Sequence, residues 1–300
     1  MSQLILWISL LIMICSASVF SQCHIDDWTA LKALYESTNG DNWEEKEGWE
    51  QITGDIPAID CDLNKMHGVR LNKDYAERVE DLFLPSNNLE GVIPPEICRL
   101  HNLEEFSLLY NKIGENIPNC IAELKELRYI GLSFNLLTGK IPSEIGELSN
   151  LTQLSLIGNQ LSGEIPPELG NLKKLSRLEL GGNQFTGEIP VELATMGYRY
   201  VLLLNANQLS GCIPPEFGDA FFDWTTLFLN DNNLSGCYDA NLLKMCDAFD
   251  GIYGFADPFS LNNLESTFEE FCFEAKGICD TVIGCGPKGL APLVGSFNCD

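Results

Sequence analysis

Histidine is almost missing from this 300-residue chain, and His24, His67 and His101 are all it has. Imidazole is the commonest proton-transfer group near neutral pH, and the first two of these fall in a segment that reads as a structural cap, so acid–base and nucleophilic catalysis have little to work with. A carboxylate pair could hydrolyse a glycoside, but acidic residues are abundant here and Arg177 beside Glu179 reads as an ordinary charged pair. No residue is therefore assigned a catalytic role. Basic residues are scarce too: 18 Lys and Arg stand against 43 Asp and Glu, for a formal net charge of -25. Such a chain is repelled by phosphate backbones, which excludes nucleic acid as a partner and favours a basic or neutral one. No cysteine pair has CxxC spacing, and Cys272, Cys279 and Cys285 match no zinc pattern, so neither a metal nor a cofactor is expected.

Long apolar runs are equally rare. Residues 4–14, LILWISLLIMI, form the one uncharged apolar stretch of note, of signal-peptide length and short for a bilayer span. No Lys or Arg precedes it, but Val19 and Ser21 offer a small-residue cleavage site before Gln22, so residues 1–21 are read as a signal peptide. The rest is expected to carry no membrane span and to be secreted or associated with the cell surface. Of the 12 cysteines, Cys15 leaves with the signal; the remaining odd number in an exported chain points to disulfides with one thiol unpaired or shared.

What the chain does have is a period. Asn87, Asn111, Asn135, Asn159, Asn183 and Asn207 recur every 24 residues, and Asn232 follows after 25. Apolar residues recur with them. Leu82, Phe106, Ile130, Leu154, Leu178, Leu202 and Leu227 share one position, and Leu84, Leu108, Leu132, Leu156, Leu180, Leu204 and Leu229 lie two residues further on. A spacing of two returns to the same face of a strand, so both sets point inward from short strands and must be buried by stacking on neighbouring units. An Asn where each strand ends can satisfy backbone groups that no sheet ladder reaches, so the seven are predicted to form a buried structural ladder. Ile-Pro recurs from Ile93-Pro94 to Ile213-Pro214, favouring extended backbone on the opposite side of each coil. Glu115 stands where the other units have Gly91, Gly139, Gly163, Gly187, Gly211 and Gly236, which predicts a distorted second turn.

The units LRYIGLSFNLLTGKIPSEIGELSN, LTQLSLIGNQLSGEIPPELGNLKK and LSRLELGGNQFTGEIPVELATMGY resemble the extracellular, plant-type leucine-rich repeat, LxxLxLxxNxLxGxIPxxLGxLxx. The resemblance covers residues 79 to about 238. It implies an α/β solenoid: a right-handed superhelix with short parallel strands on its concave face and capped ends. Residues 22–78 are read as the N-terminal cap, 79–238 as seven repeats and 239–300 as a cysteine-rich C-terminal cap. In the first cap, Asp26 and Asp27 can cap a helix whose Trp28, Leu31, Leu34 and Tyr35 share a face, with Asn39-Gly40 as its stop. Cys23 with Cys61 is the first expected disulfide. Cys212 and Cys237 occupy one position in consecutive units and would lie about 5 Å apart, within bonding range. Cys98 and Cys120 sit on adjacent coils two positions out of phase and form a third candidate pair; the pairing of the tail is not readable.

Between the inward leucines lie residues that must face the concave surface. Phe83, Leu109, Tyr110, Tyr129, Phe134, Ile157, Leu203 and Phe228 are the candidate ligand contacts there, and Leu109, Tyr110, Tyr129, Phe134 and Ile157 should cluster across units two to four, about one strand spacing apart. The resemblance to receptor ectodomains and polygalacturonase inhibitors implies a non-catalytic recognition protein for an extracellular protein or peptide. Carbohydrate binding or enzyme inhibition at the cell surface is the alternative: the aromatics would stack on a glycan, and Ser107, Ser133 and Gln153 would supply polar groups.

Overall fold

The computed structural model describes residues 24–53, 63–72, 78–196, 201–217, 226–236 and 263–264. The 24-residue period becomes an eight-stranded sheet. Strands β2 (Arg78–Phe83), β4 (Glu105–Ser107), β6 (Tyr129–Gly131), β8 (Gln153–Ser155), β10 (Arg177–Glu179), β12 (Val201–Leu203) and β14 (Thr226–Phe228) pair in parallel, one per coil. Equivalent residues sit opposite one another: Leu82 faces Phe106, Ile130 faces Leu154 and Leu178 faces Leu202. The single extra residue before the last coil is absorbed without loss of pairing, since Val201 faces Thr226.

Each strand residue that points inward is buried, and together they make one continuous core along the stack. Full burial of a Leu or Ile side chain contributes about 1.5–3 kcal/mol before conformational entropy is subtracted. Because each coil's leucines are covered by its neighbours, that energy belongs to the array rather than to a single repeat. Leaving the strand, each coil from the first to the fifth reaches a proline, at positions 94, 118, 142, 166 and 190, whose extended backbone opens a short 3-10 helix. The helical side needs more room than strands at about 4.8 Å spacing, so the solenoid curves with the sheet inside.

Smaller ladders run along the flank, with β3 (Glu90–Val92), β5 (Lys112–Glu115) and β7 (Leu136–Leu137) in one sheet, β9 (Ser162–Glu164) beside β11 (Gln184–Thr186) in a second, and β13 (Ser210–Gly211) beside β15 (Asn233–Gly236) in a third. The expected distortion at Glu115 does not occur. Glu115 adopts φ 59, in the left-handed region where Gly139, Gly163 and Gly187 also lie, and pairs with Leu137 in its sheet. The coil accepts the strain of a side chain there because flanking backbone fixes it.

The N-terminal cap is built on helix α1 (Ile25–Ser37), which buries Trp28, Leu31, Leu34 and Tyr35, with Asn39 at φ 58 turning the chain away. Trp43 and Trp49 pack edge to face at 4.8 Å, and Tyr35 lies against both. Neither aspartate caps the helix by a side-chain hydrogen bond from the N-cap position, which His24 occupies. Asp27 instead is buried and accepts from Arg78 Nη2 at 2.7 Å, from Arg78 Nε at 3.0 Å and from the Val79 backbone N–H at 2.8 Å. It thus bolts the cap to the first repeat. The sheet is closed on that side by β1 (Val69–Asn72), which runs antiparallel to β2.

Cys98 and Cys120 are bonded, with their Cα atoms 5.8 Å apart, tying the first repeat to the second. Cys23, Cys61 and Cys237 lie outside the described residues, as do residues 1–21 and the cysteines of the 239–300 tail, so the Cys23–Cys61 and Cys212–Cys237 pairings fall there too. No helix among the described residues is long and apolar enough to cross a membrane, and no cluster there could hold a metal ion.

Candidate ligand-binding face

The asparagines face inward, so they are scaffold for the site. Asn87, Asn111, Asn135, Asn159, Asn183, Asn207 and Asn232 are all buried. Each from Asn111 on donates its Nδ2 to carbonyls of its own coil and of the coil before: Asn159 reaches Leu156 O at 3.1 Å and Leu132 O at 3.0 Å. Its Oδ1 accepts from the Leu137 N–H at 3.0 Å. The first rung continues into the cap, where Asn87 Nδ2 donates to Glu45 O at 2.8 Å.

To turn the Asn inward, the residue just before it takes a left-handed backbone. Ser86, Tyr110, Phe134, Gly158, Gly182, Ala206 and Asp231 all lie between φ 51 and φ 65. These seven form a second ladder that lines the C-terminal rim of the open sheet face. A left-handed backbone costs a non-glycine residue roughly 1–2 kcal/mol. Tyr110 and Phe134 nevertheless occupy it and stay 57% and 44% exposed, their rings parallel at 7° with centroids 4.5 Å apart. That separation is about one strand spacing, so the stack runs along the solenoid axis.

The other candidate residues are less open. Phe83 is exposed, whereas Leu109, Tyr129, Ile157, Leu203 and Phe228 are half-buried. Tyr129 does not join the Tyr110–Phe134 stack; its ring lies across Gly131, where a Cβ would come within 2.3 Å of the hydroxyl. Burial raises the Tyr129 pKa above its ordinary value, and the nearby Ser107 hydroxyl pulls it partly back.

Ser107 and Ser133 are buried rather than available on the surface. Ser133 and Ser155 hydroxyls meet at 2.9 Å, and Ser155 Oγ donates to Glu179 Oε2 at 2.6 Å. Arg177 Nη1 donates to Glu179 Oε1 at 2.7 Å, and Ser133 Oγ accepts the Ile157 N–H at 2.8 Å. The middle of the face is therefore a self-satisfied polar floor. At the N-terminal edge Arg70 pairs with Asp81 and with Glu80, and Arg128 pairs with Glu104. Glu105 and Asp231 have no ion-pair partner among the described residues. The sequence signalled the outward parity of these positions, but the lateral leaning of Tyr129 over Gly131 carried no local signature.

The Leucine Rich Repeat family model matches residues 126–148, 150–172 and 174–196. Among solved structures the chain is similar to the ectodomain of the membrane receptor kinase GASSHO1/SCHENGEN3 from Arabidopsis thaliana in complex with CASPARIAN STRIP INTEGRITY FACTOR 2, at 25% identity and TM-score 0.59 over 79% of this chain and 30% of that one. It is similar to Pollen Receptor Kinase 3 at 27% identity and TM-score 0.55, over 68% of this chain and 94% of that one. It also resembles the plant peptide hormone receptor RGFR1 in complex with RGF2, at 30% identity and TM-score 0.51, over 61% of this chain and 32% of that one. The chain thus spans about a third of the length of the RGFR1 and GASSHO1/SCHENGEN3 chains. No curated protein sequence matches it. Residues 126–196 are thus leucine-rich repeats, and the 24-residue period they share with the neighbouring coils is of the plant extracellular type.

Proposed function

We propose that this chain is a non-catalytic recognition protein that binds a protein or peptide ligand on the concave face of its repeats, and that it acts outside the cell, secreted or at its surface. The observation that carries this reading is the exposed Tyr110–Phe134 stack, held at a backbone cost on the open side of the sheet. Exposed aromatic anchors of this kind dominate the energy of many interfaces, and a fold keeps strained residues where they do something. Phe83, Leu109, Ile157, Leu203 and Phe228 extend the same face as secondary contacts. Two of the similar structures hold a bound partner, RGF2 on the peptide hormone receptor RGFR1 and CASPARIAN STRIP INTEGRITY FACTOR 2 on GASSHO1/SCHENGEN3, which supports a peptide or protein ligand. A net charge of -25 supports a basic one, drawn in by long-range attraction. A catalytic role has little support, since Glu179 is engaged by Arg177 and Ser155 and His101 is exposed away from the sheet face.

Carbohydrate binding is the weaker reading, because Ser107 and Ser133, two of the polar groups it would use, are buried, and the Ser133 hydroxyl is bonded to that of Ser155. The test is affinity capture from secreted material by the full chain, side by side with a Tyr110→Ala/Phe134→Ala variant whose circular dichroism matches the parent. A protein or peptide retained by the parent and lost by the variant is the expected result. Equal retention by both would move recognition off this face.

A further inference from the structure

We infer that the concave face carries a slot over Gly182 that takes an aromatic side chain from a basic, extended peptide; this rests on the peptide reading above and gives it a position and a chemistry. The slot follows from the left-handed ladder. Tyr110 and Phe134 stack with parallel rings, so the far face of Phe134 looks along the solenoid axis toward the next two rungs, Gly158 and Gly182. The Phe134 ring already leans over Gly158, where a Cβ would meet ring atom Cδ1 at 2.8 Å. Over Gly182 no side chain intrudes: beyond its chain neighbours, a Cβ there would meet only the Gly158 backbone, with the nitrogen at 3.4 Å and Cα at 3.6 Å, in ordinary van der Waals contact. The next rung, Ala206, is small. A flat ring laid over Gly182 therefore becomes the third member of a stack whose first two members are Tyr110 and Phe134.

Two observations select the occupant. A sugar would need free hydroxyl and carboxylate partners around its ring, but beside the slot Glu179 is held by Arg177 and by Ser155. An aromatic side chain needs only the ring face and dry walls. Among the described residues of the sheet face and its N-terminal edge, and apart from the Arg78–Asp27 pair, Glu80, Asp81, Glu104, Glu105, Glu179 and Asp231 outnumber Arg70, Arg128 and Arg177 by six to three, and Glu105 and Asp231 have no ion-pair partner there. The charge complement of that surface is a basic peptide.

The test uses the full chain and short fluorescein-labelled peptides carrying a central Lys-Xaa-Lys, with Xaa as Trp, Tyr, Leu or Ala, together with a matched Glu-Trp-Glu peptide and a glucose oligosaccharide. Gly182→Asn fills the slot with the side chain that best tolerates a left-handed backbone, and Phe134→Gly removes the ring while relieving its backbone. The expected result is that the Trp and Tyr basic peptides bind at least about tenfold more tightly than the Leu, Ala and acidic peptides, and that both variants abolish this difference while keeping parental circular dichroism. Basic peptides binding equally whatever the central residue, with Gly182→Asn silent, would refute the slot and leave the concave peptide reading standing. Oligosaccharide binding lost in Gly182→Asn, with the peptides inert, would overturn the occupant and the peptide reading together. Absence of binding by every probe would refute the slot, while affinity capture judges the broader reading.

Discussion

The Asn ladder makes a sharp energetic prediction at Asn159. Replacing it by Ala deletes three Nδ2 contacts, to Leu132 O at 3.0 Å, Leu156 O at 3.1 Å and Ile157 O at 3.4 Å, and one Oδ1 contact from the Leu137 N–H at 3.0 Å. The carbonyls of Leu132 and Leu156 do not become orphans, because Asn135 still donates to the first at 3.1 Å and Asn183 to the second at 2.9 Å. The Leu137 N–H loses its acceptor in a buried site. An unsatisfied buried N–H costs about 1–3 kcal/mol, and two further buried hydrogen bonds contribute about 0.5–1.5 kcal/mol each, so Asn159→Ala should cost about 2–6 kcal/mol. Urea unfolding followed by circular dichroism, with tryptophan fluorescence as a second probe, measures it. A loss below about 1 kcal/mol at unchanged urea slope would show that water or backbone relaxation replaces the rung, and would refute the argument. Asn159→Asp sharpens the test. It keeps the acceptor for Leu137 but turns an oxygen toward carbonyl oxygens, which favours the protonated carboxyl and raises its folded-state pKa. Its stability is then fully present below the ordinary carboxylate range and is lost as pH rises through the raised value.

Three further outcomes follow from other sites. Asp27→Ala leaves Arg78 and the Val79 N–H without their buried partner, so it should cost about 3–5 kcal/mol and free the cap first, seen as early loss of hydrogen-exchange protection in residues 25–37; simultaneous opening of cap and repeats would contradict it. Phe134→Gly should be more stable than Phe134→Ala by about 1 kcal/mol, since φ 57 strains alanine and not glycine, and a calorimetric order in the opposite sense would count against a strained ladder. Tyr35, buried and donating to Asp41 Oδ1 at 2.9 Å, has its pKa pushed up to about 12 by burial first and then by Asp41. Because the folded value lies above the ordinary 10, its contribution is complete below pH 10 and disappears as pH rises toward 12, by roughly 3 kcal/mol at most. A tyrosinate absorbance titration should show a phenol ionising near pH 12 that is missing from Tyr35→Phe, and a difference between the two titrations centred near pH 10 in the folded protein would refute the assignment.

Much of this architecture was legible because a solenoid is written locally. Leu154, Leu156 and Asn159 repeat in every unit at a fixed offset, and a spacing of two on a strand can point only one way. The candidate face was legible in parity alone: Tyr110 and Phe134 are exposed where the pattern puts them, yet Tyr129, equally outward by parity, is half-buried across Gly131. Ser107, Ser133 and Ser155 have the same parity and are buried. Parity fixes the side of the sheet, whereas exposure depends on how far neighbouring coils lean over it.

The amino-acid pattern by itself determined the coil, its inward leucines and the buried asparagines, since each follows from residues within one or two periods. Only the tertiary structure decided that Asp27 spans 51 residues to hold Arg78, that Glu115 accepts a left-handed turn, and that a ring stack ends beside an open glycine. These depend on which coils lie side by side and on the space their side chains leave, quantities that exist only once the chain is stacked.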